Sequence, residues 1–311
     1  MKSLVTGVAG FIGSHLAERL VEEGHGVVGV DCFTDYYPRE VKEKNLEILR
    51  QSDNFEFLET KLQDAVRNER TLDEVEVVFH LAAQPGVRKS WGEHFNEYIE
   101  SNIVATQALL EALKGREIKK LVLASSSSIY GDAQAFPTTE NTLPCPVSPY
   151  GVTKLASEHL CMLYWKSFGI PAVALRFFTV YGPRQRPDMA FSRLITVAES
   201  GETFSVFGDG EQTRDFTFVG DIVDCNILAM EKGEPGEAFN GGGGSRVTLN
   251  EVFRIAEKLL GMPVKRNHTD AQRGDARHTA ADISKANEKL GYSPSVTLEE
   301  GLKRQIENRN L

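Results

Sequence analysis

Short apolar runs and helical stripes alternate along the first 180 residues. Segments 3–6, 27–30, 55–58, 75–81, 121–124 and 172–178 are strand-length runs rich in Val, Leu and Phe. Ile12, Leu16, Leu20 and Val21 recur at helical spacing after the first run, and further helical windows cover 101–114 and 149–168. Near-continuous apolar strands separated by helices predict a parallel sheet buried on both faces, a doubly wound α/β fold of Rossmann type. After residue 180 the rhythm loosens around Pro183, Pro187, Gly208 and Gly210. A helix over 219–232, a strand near 237–240, a helix from Thr248 to Leu260 opened by the capping box Thr248-Leu249-Asn250-Glu251, and a last helix over 298–309 follow. This reads as a smaller mixed α/β region that interleaves with the first. The expected division is 1–180 with 217–243 for one part, and 181–216 with 244–311 for the other.

Composition narrows the function classes. The chain has 311 residues, 41% hydrophobic and 25% charged, and no apolar run approaches a membrane span. The N-terminal residues lack an apolar segment with a cleavage site, so a cytoplasmic protein is expected. Its 35 basic against 44 acidic residues give a net charge of −9, which disfavours nucleic acid or an anionic membrane as partner. Cys32, Cys145, Cys161 and Cys225 form no C-x-x-C pair and have no metal-like spacing, so they read as reduced thiols and no metal is expected.

The sharpest motif is Gly7-Val8-Ala9-Gly10-Phe11-Ile12-Gly13, set between a predicted strand and a predicted helix. Such a turn brings backbone close to a pyrophosphate, and the helix N-terminus offers free N–H groups to it. Asp31 ends the second strand, where a carboxylate accepts from both hydroxyls of an adenosine ribose and repels a 2′-phosphate. The cofactor expected is therefore NAD. Tyr150-Gly151-Val152-Thr153-Lys154, announced by Ser148-Pro149, places a phenol and an ammonium on one helical face. A phenol is a weak base at neutral pH; a nearby ammonium favours its anion. Ser125 to Ser128 follow the fifth strand, where a hydroxyl can bond a substrate oxygen. The glycines 241–244 lack the Lys-Ser/Thr of a P-loop and read as a flexible turn.

Together with His80-Leu81-Ala82-Ala83-Gln84, Asn102, Ile129-Tyr130-Gly131 and Arg273-Gly274-Asp275, these motifs resemble the extended short-chain dehydrogenase/reductase superfamily, in its nucleotide-sugar epimerase and dehydratase branch. The resemblance spans essentially the whole chain. It implies a Rossmann domain holding NAD through Gly7, Gly10, Phe11, Ile12, Gly13, Asp31, Leu81, Ala82, Ala83, Asn102, Tyr150 and Lys154. It implies Tyr150 as base and Ser126 as its hydroxyl partner, and a structural His80. Lys61 departs from the pattern, standing where an acid is expected against the adenine; Asp64 or backbone groups would take that role.

Ser127 and Ser128 stand where the family's 4,6-dehydratases carry Asp-Glu and its uronate decarboxylases a Glu. Without that acid a 4-keto sugar can only be reduced again, which implies a 4-epimerase. The segment from Phe177 to Met189 is similar to that of UDP-glucuronate 4-epimerases; Thr179 replaces the usual Asn of galactose-type enzymes, and Arg186 can clamp a C6 carboxylate. Arg214 and Arg273 match diphosphate-binding arginines, and Val206 and Phe207 are expected near the base. The expected substrate is UDP-glucuronate; UDP-glucose, UDP-N-acetylglucosamine, a dehydratase or decarboxylase, and a non-catalytic NAD-binding protein are the alternatives. A homodimer through helices near 101–114 and 149–168 is implied, with Leu109, Leu110 and Leu113 serving either that interface or the core.

Overall fold

The computed structural model describes residues 1–309 apart from Gln134, Gly244, Ser245, 271–273 and Asp275. Six strands carry the first half: β1 (Lys2–Thr6), β2 (Gly26–Asp31), β3 (Phe55–Glu59), β4 (Val77–His80), β5 (Lys120–Ser126) and β6 (Ala172–Phe177). The strand Ala238–Gly241 returns to pair with β6, closing a seven-stranded parallel sheet. In spatial order it runs Ala238–Gly241, β6, β5, β4, β1, β2, β3, so the winding reverses between β1 and β4. Loops leaving the two strands there diverge, and ligands of such sheets bind in that crevice.

Pleating explains why the runs are apolar throughout. Val5, Val77, Val122 and Val173 face one layer, while Leu4, Val78, Leu121 and Ala172 face the other. The first helix, Phe11–Glu22, and the helix Val219–Lys232 cover the first face; Ala105–Leu113 and Pro149–Phe168 cover the second. Leu109, Leu110 and Leu113 are fully buried in that second layer, which settles them as core.

The predicted window 101–114 is not one regular helix. Ile99–Val104 is π-helical before Ala105–Leu113 becomes α. Thr248 caps its helix as expected, accepting from the Glu251 N–H at 3.1 Å. Beyond the main sheet, the described residues form three two-stranded pairings: Thr179–Tyr181 with Phe216–Phe218, Phe204–Phe207 with Arg266–Thr269, and Thr213–Arg214 with Val247–Thr248. In the turn after Ala238–Gly241 the backbone packs closely at Gly242 and Gly243, while Gly244 lies outside the described residues. A Cβ on Gly242 would lie 2.3 Å from Ala281 Cβ, and one on Gly243 2.3 Å from Phe216 O. No helix among the described residues is long and apolar enough to cross a membrane.

Candidate active site

The glycine turn is built for close approach. Gly7 has φ +72°, and a Cβ there would sit 2.9 Å from Ala82 backbone atoms; one on Gly13 would lie 2.2 Å from Gly7 O. The first helix starts on Gly10 with no side-chain cap and no acid in its first turn. Its N–H groups are thus left for an anion. Phe11 is buried and Ile12 half-buried in that turn. Asp31 closes β2 and accepts from Ala9 N at 3.2 Å and Phe33 N at 2.9 Å. Burial raises its carboxyl pKa, opposed by those N–H groups and by Lys42. Ribose hydroxyls would add donors to this buried carboxylate. The cradle and the acid both fit an adenine dinucleotide.

Across the crevice, Leu81, Ala82 and Ala83 follow β4, with Ala82 N donating to Thr6 Oγ1 at 3.1 Å. Thr6 also meets His80 Nδ1 at 2.8 Å, and His80 Nε2 meets Thr106 Oγ1 at 2.9 Å. Burial drives the His80 pKa down to about 3, so this imidazole is a neutral strut. Asn102 lies on the π turn. Its Oδ1 accepts from Gln84 N at 2.6 Å, and its Nδ2 donates to Gln84 O at 3.2 Å and Thr153 Oγ1 at 2.9 Å. Both amide hydrogens are engaged inside the protein, so Asn102 ties Gln84 and Thr153 together beside the crevice.

The helix Pro149–Phe168 begins as its sequence announces: Ser148 Oγ caps Gly151 N at 3.1 Å, with Pro149 in the first turn. This fixes Tyr150 beside Tyr98, rings edge-on at 6.2 Å. Burial raises the Tyr150 pKa; a hydrogen bond from Ser126 and the charge of Arg186 oppose it. Arg186 therefore adds its charge at the phenol to that of Lys154, which the i, i+4 spacing places on the same helical face. Lys154 is buried, and desolvation lowers its pKa to about 8. Ser126 Oγ also accepts from Ser128 N at 3.1 Å, fixing the serine turn.

Ser127, Ser128, Thr179 and Arg214 line one cavity of about 150 Å³, together with Val87 and Thr279. Arg214 Nη1 donates to Thr213 O at 2.9 Å and Arg277 O at 3.0 Å. Arg186 stands apart from that lining. It pairs with Asp188 through two hydrogen bonds of 2.9 and 3.0 Å and lies 5.5 Å from the Tyr36 ring. Val206 is fully buried, which removes its side chain from any base contact, whereas Phe207 carries Arg88 at 4.2 Å over its ring. Arg273 lies outside the described residues. Lys61 starts a short helix, and Asp64 pairs with Arg67 at 2.6 Å. Tyr36, Asp188 and Arg88 were not found from sequence. Tyr36 follows Asp31 closely, but nothing in its spacing announces that it packs on Gly86, whose Cβ would sit 2.3 Å from the phenol oxygen.

Comparison with known proteins agrees with this geometry. The UDP-glucose epimerase YtcB of Bacillus subtilis (strain 168), itself uncharacterized, is 48% identical over 310 residues, covering 98% of this chain and 97% of that protein. A UDP-glucuronate 4-epimerase of Thermodesulfobacterium geofontis (strain OPF15) is 41% identical, over 97% of this chain and 94% of that one. The crystal structure of UDP-glucuronic acid 4-epimerase from Bacillus cereus, in complex with UDP-glucuronic acid and NAD, superposes with a TM-score of 0.95 at 44% identity. It covers 100% of this chain and 99% of that one. The sequence model of GDP-mannose 4,6 dehydratase matches residues 4–305, and the chain therefore belongs to that family within the short-chain dehydrogenase/reductases.

Proposed function

We propose that this chain is an NAD-dependent 4-epimerase of UDP-sugars, with UDP-glucuronate and UDP-galacturonate as its favoured pair. The cavity lining carries the reading: at 127 and 128 it offers only serine hydroxyls, beside a tyrosine–serine pair able to take a sugar proton. Bound NAD would supply the hydride acceptor and later donor for C4, and its positive ring would favour the phenolate. Tyr150 removes the O4 proton, with Ser126 holding the same oxygen. Lys154 holds its positive charge on the same helical face. Gly7, Gly10 and Gly13 seat the pyrophosphate and Asp31 the ribose. With no carboxyl group at 127 or 128 to drive loss of water, the 4-keto sugar stays intact. After turning its other face, it regains hydrogen at C4 and takes the proton back from Tyr150.

Arg186 carries the choice of a uronic acid. Its guanidinium lies near enough to Tyr150 for its charge to act there, and an arginine fork suits the C6 carboxylate of a sugar whose O4 meets the phenol. Holding that carboxylate with its C–C bond off the carbonyl π axis, aided by Thr179, suppresses loss of CO₂ from the 4-keto acid. One observation favours UDP-glucose as second reading: Asp188 already occupies two N–H groups of Arg186. Assays of UDP-glucuronate and UDP-glucose side by side decide between them, and faster turnover of UDP-glucose overturns the uronate assignment. Arg186→Ala should lose uronate turnover selectively; equal loss on both sugars removes the clamp.

For the rest of the molecule, we assign residues 1–180 with 217–243 to NAD, and 181–216 with 244–311 to the nucleotide sugar, Arg214 and Arg273 meeting its diphosphate. The enzyme works in the cytoplasm as a homodimer. Its interface lies on the outward faces of Ala105–Leu113 and Pro149–Phe168, where Val152 and Leu163 are exposed alongside Val104.

A further inference from the structure

One buried ion pair lies a single helical turn from the catalytic lysine and has no part in the chemistry above. Glu158 follows Lys154 at i+4 on the helix Pro149–Phe168, the spacing at which a carboxylate and an ammonium ordinarily pair. Here they do not. Arg176, reaching over from β6, donates from Nη2 to Glu158 Oε1 at 2.6 Å and from Nε to both oxygens at 3.2 Å. Ser125 Oγ donates to Oε2 at 2.6 Å. Arg176 is itself anchored, with Nη1 donating to Tyr130 Oη at 2.8 Å and Glu140 O at 3.0 Å. Tyr130 in turn donates to Asn240 Oδ1 at 2.8 Å. Lys154, Glu158, Arg176, Ser125, Tyr130 and Asn240 are all buried.

The arrangement is costly for Lys154. A buried ammonium without a directly bonded carboxylate is destabilising, and Glu158 acts on Lys154 through its charge without bonding it. Instead the sheet brings a second cation to occupy the carboxylate. Among the described residues, the other groups around Lys154 offer no anion in its place. From β4, His80 is neutral; from its own helix, Cys161 is held as a thiol by burial. Tyr150 lies on the same helical face, with Tyr98 and Arg186 beyond it.

We propose that Arg176 is a positioning residue for Lys154: by taking both oxygens of Glu158, it keeps that carboxylate from capturing the ammonium, which is left for the nicotinamide ribose and the Tyr150 oxygen. The inference rests on the reading of this site as an NAD-dependent epimerase and assigns a task to a pair outside the reacting groups.

The test uses the full chain and measures NAD affinity by calorimetry and the alkaline limb of the kcat–pH profile. In Arg176→Gln, Glu158 is released toward Lys154. NAD binding weakens roughly tenfold, the loss of about one charge-assisted hydrogen bond, and the alkaline limb moves to higher pH because a paired ammonium keeps its proton longer. In the double variant Glu158→Gln/Arg176→Gln the competing carboxylate is gone, and both readouts return toward wild type. If Arg176→Gln does not fold, Arg176→Lys carries the test. It keeps the charge but loses the two-pronged contact, and weakens NAD binding in the same direction by about threefold. Unchanged affinity and limb in a folded Arg176 variant, or a double variant no better than Arg176→Gln, overturn the proposal and leave the epimerase reading standing. A wild-type protein that binds no NAD removes both.

Discussion

Replacing Gly13 by alanine tests the cofactor cradle with a single methyl group. The new Cβ would lie 2.2 Å from Gly7 O and 2.9 Å from Gly7 C, short of ordinary contact by about 1 Å and about 0.5 Å. Both are backbone atoms, so no rotamer change relieves the clash; the first helix and the glycine turn must move apart. The turn has little slack, since Gly7 N is tied to Val30 O at 2.8 Å and Gly10 N to Gly7 O at 3.0 Å. Overpacking of this kind costs about 1–3 kcal/mol of stability. The larger effect falls on binding. Displaced N–H groups lose a charge-assisted hydrogen bond to the pyrophosphate, about 1.5–3 kcal/mol, so NAD affinity should fall roughly 10- to 100-fold. Gly26→Ala is the control, because its Cβ meets nothing nearer than Lys2 Cγ at 3.8 Å. Thermal unfolding and calorimetric titration with NAD measure both effects. Gly13→Ala binding NAD as tightly as wild type would refute the cradle, whatever its melting temperature.

Four further outcomes are expected. Tyr150→Phe should lower kcat by at least about 10²-fold while NAD still binds; near-normal turnover would remove the base from the mechanism. The Lys154 pKa, lowered to about 8 by burial, makes a pH-dependent stability difference. Between about pH 8 and the free-lysine value near 10.4, the folded chain binds fewer protons than the unfolded one, so ligand-free stability rises with pH there. Denaturant unfolding should show that rise, worth a few kcal/mol, in wild type and not in Lys154→Met; parallel curves would contradict it. Asp31→Asn should weaken NAD binding by about tenfold and narrow its preference over NADP, read from both dissociation constants. If the proposed homodimer forms through the helices Ala105–Leu113 and Pro149–Phe168, Val152→Arg should shift sedimentation from dimer toward monomer, and an unchanged profile would overturn that interface.

The sheet was legible because its strands are buried on both faces and so read as continuous apolar runs. The same logic located the Tyr150 helix to the residue, since Ser148 and Pro149 are chemically committed to a first turn. Pieces after residue 180 were harder. Thr179–Tyr181 and Phe216–Phe218 have three residues each and carry no periodicity, and Ala190–Ser200 is an amphipathic helix whose start, at Met189, has no side-chain cap hydrogen bond. The π turn at Ile99–Val104 was invisible for another reason: its hydrogen-bond shift answers a tertiary demand, that Asn102 reach both Gln84 and Thr153.

Site residues divide along the same line. Gly7, Gly10 and Gly13 announce themselves because the close backbone approach there excludes a Cβ, and Asp31 because it is a carboxylate at the end of β2. Arg186 and Val206 do not, because their roles depend on which neighbour claims them. The fold sets Arg186 between Asp188 and Tyr36 beside Tyr150, and buries Val206 in the core. Glu158 shows how the distinction works at its sharpest. Its i+4 spacing from Lys154 is visible in the sequence and predicts an ion pair, yet the pair that forms is with Arg176, eighteen residues on and one strand over. Local spacing states which partners are available; the sheet decides which is used. A catalytic helix can therefore carry a lysine and a glutamate one turn apart without neutralising the lysine, provided the neighbouring strand supplies an arginine at the right register. On the proposal above, the Glu158–Arg176 pair sets a condition on the surroundings of Lys154, because either cation left without the carboxylate would stand buried without a partner.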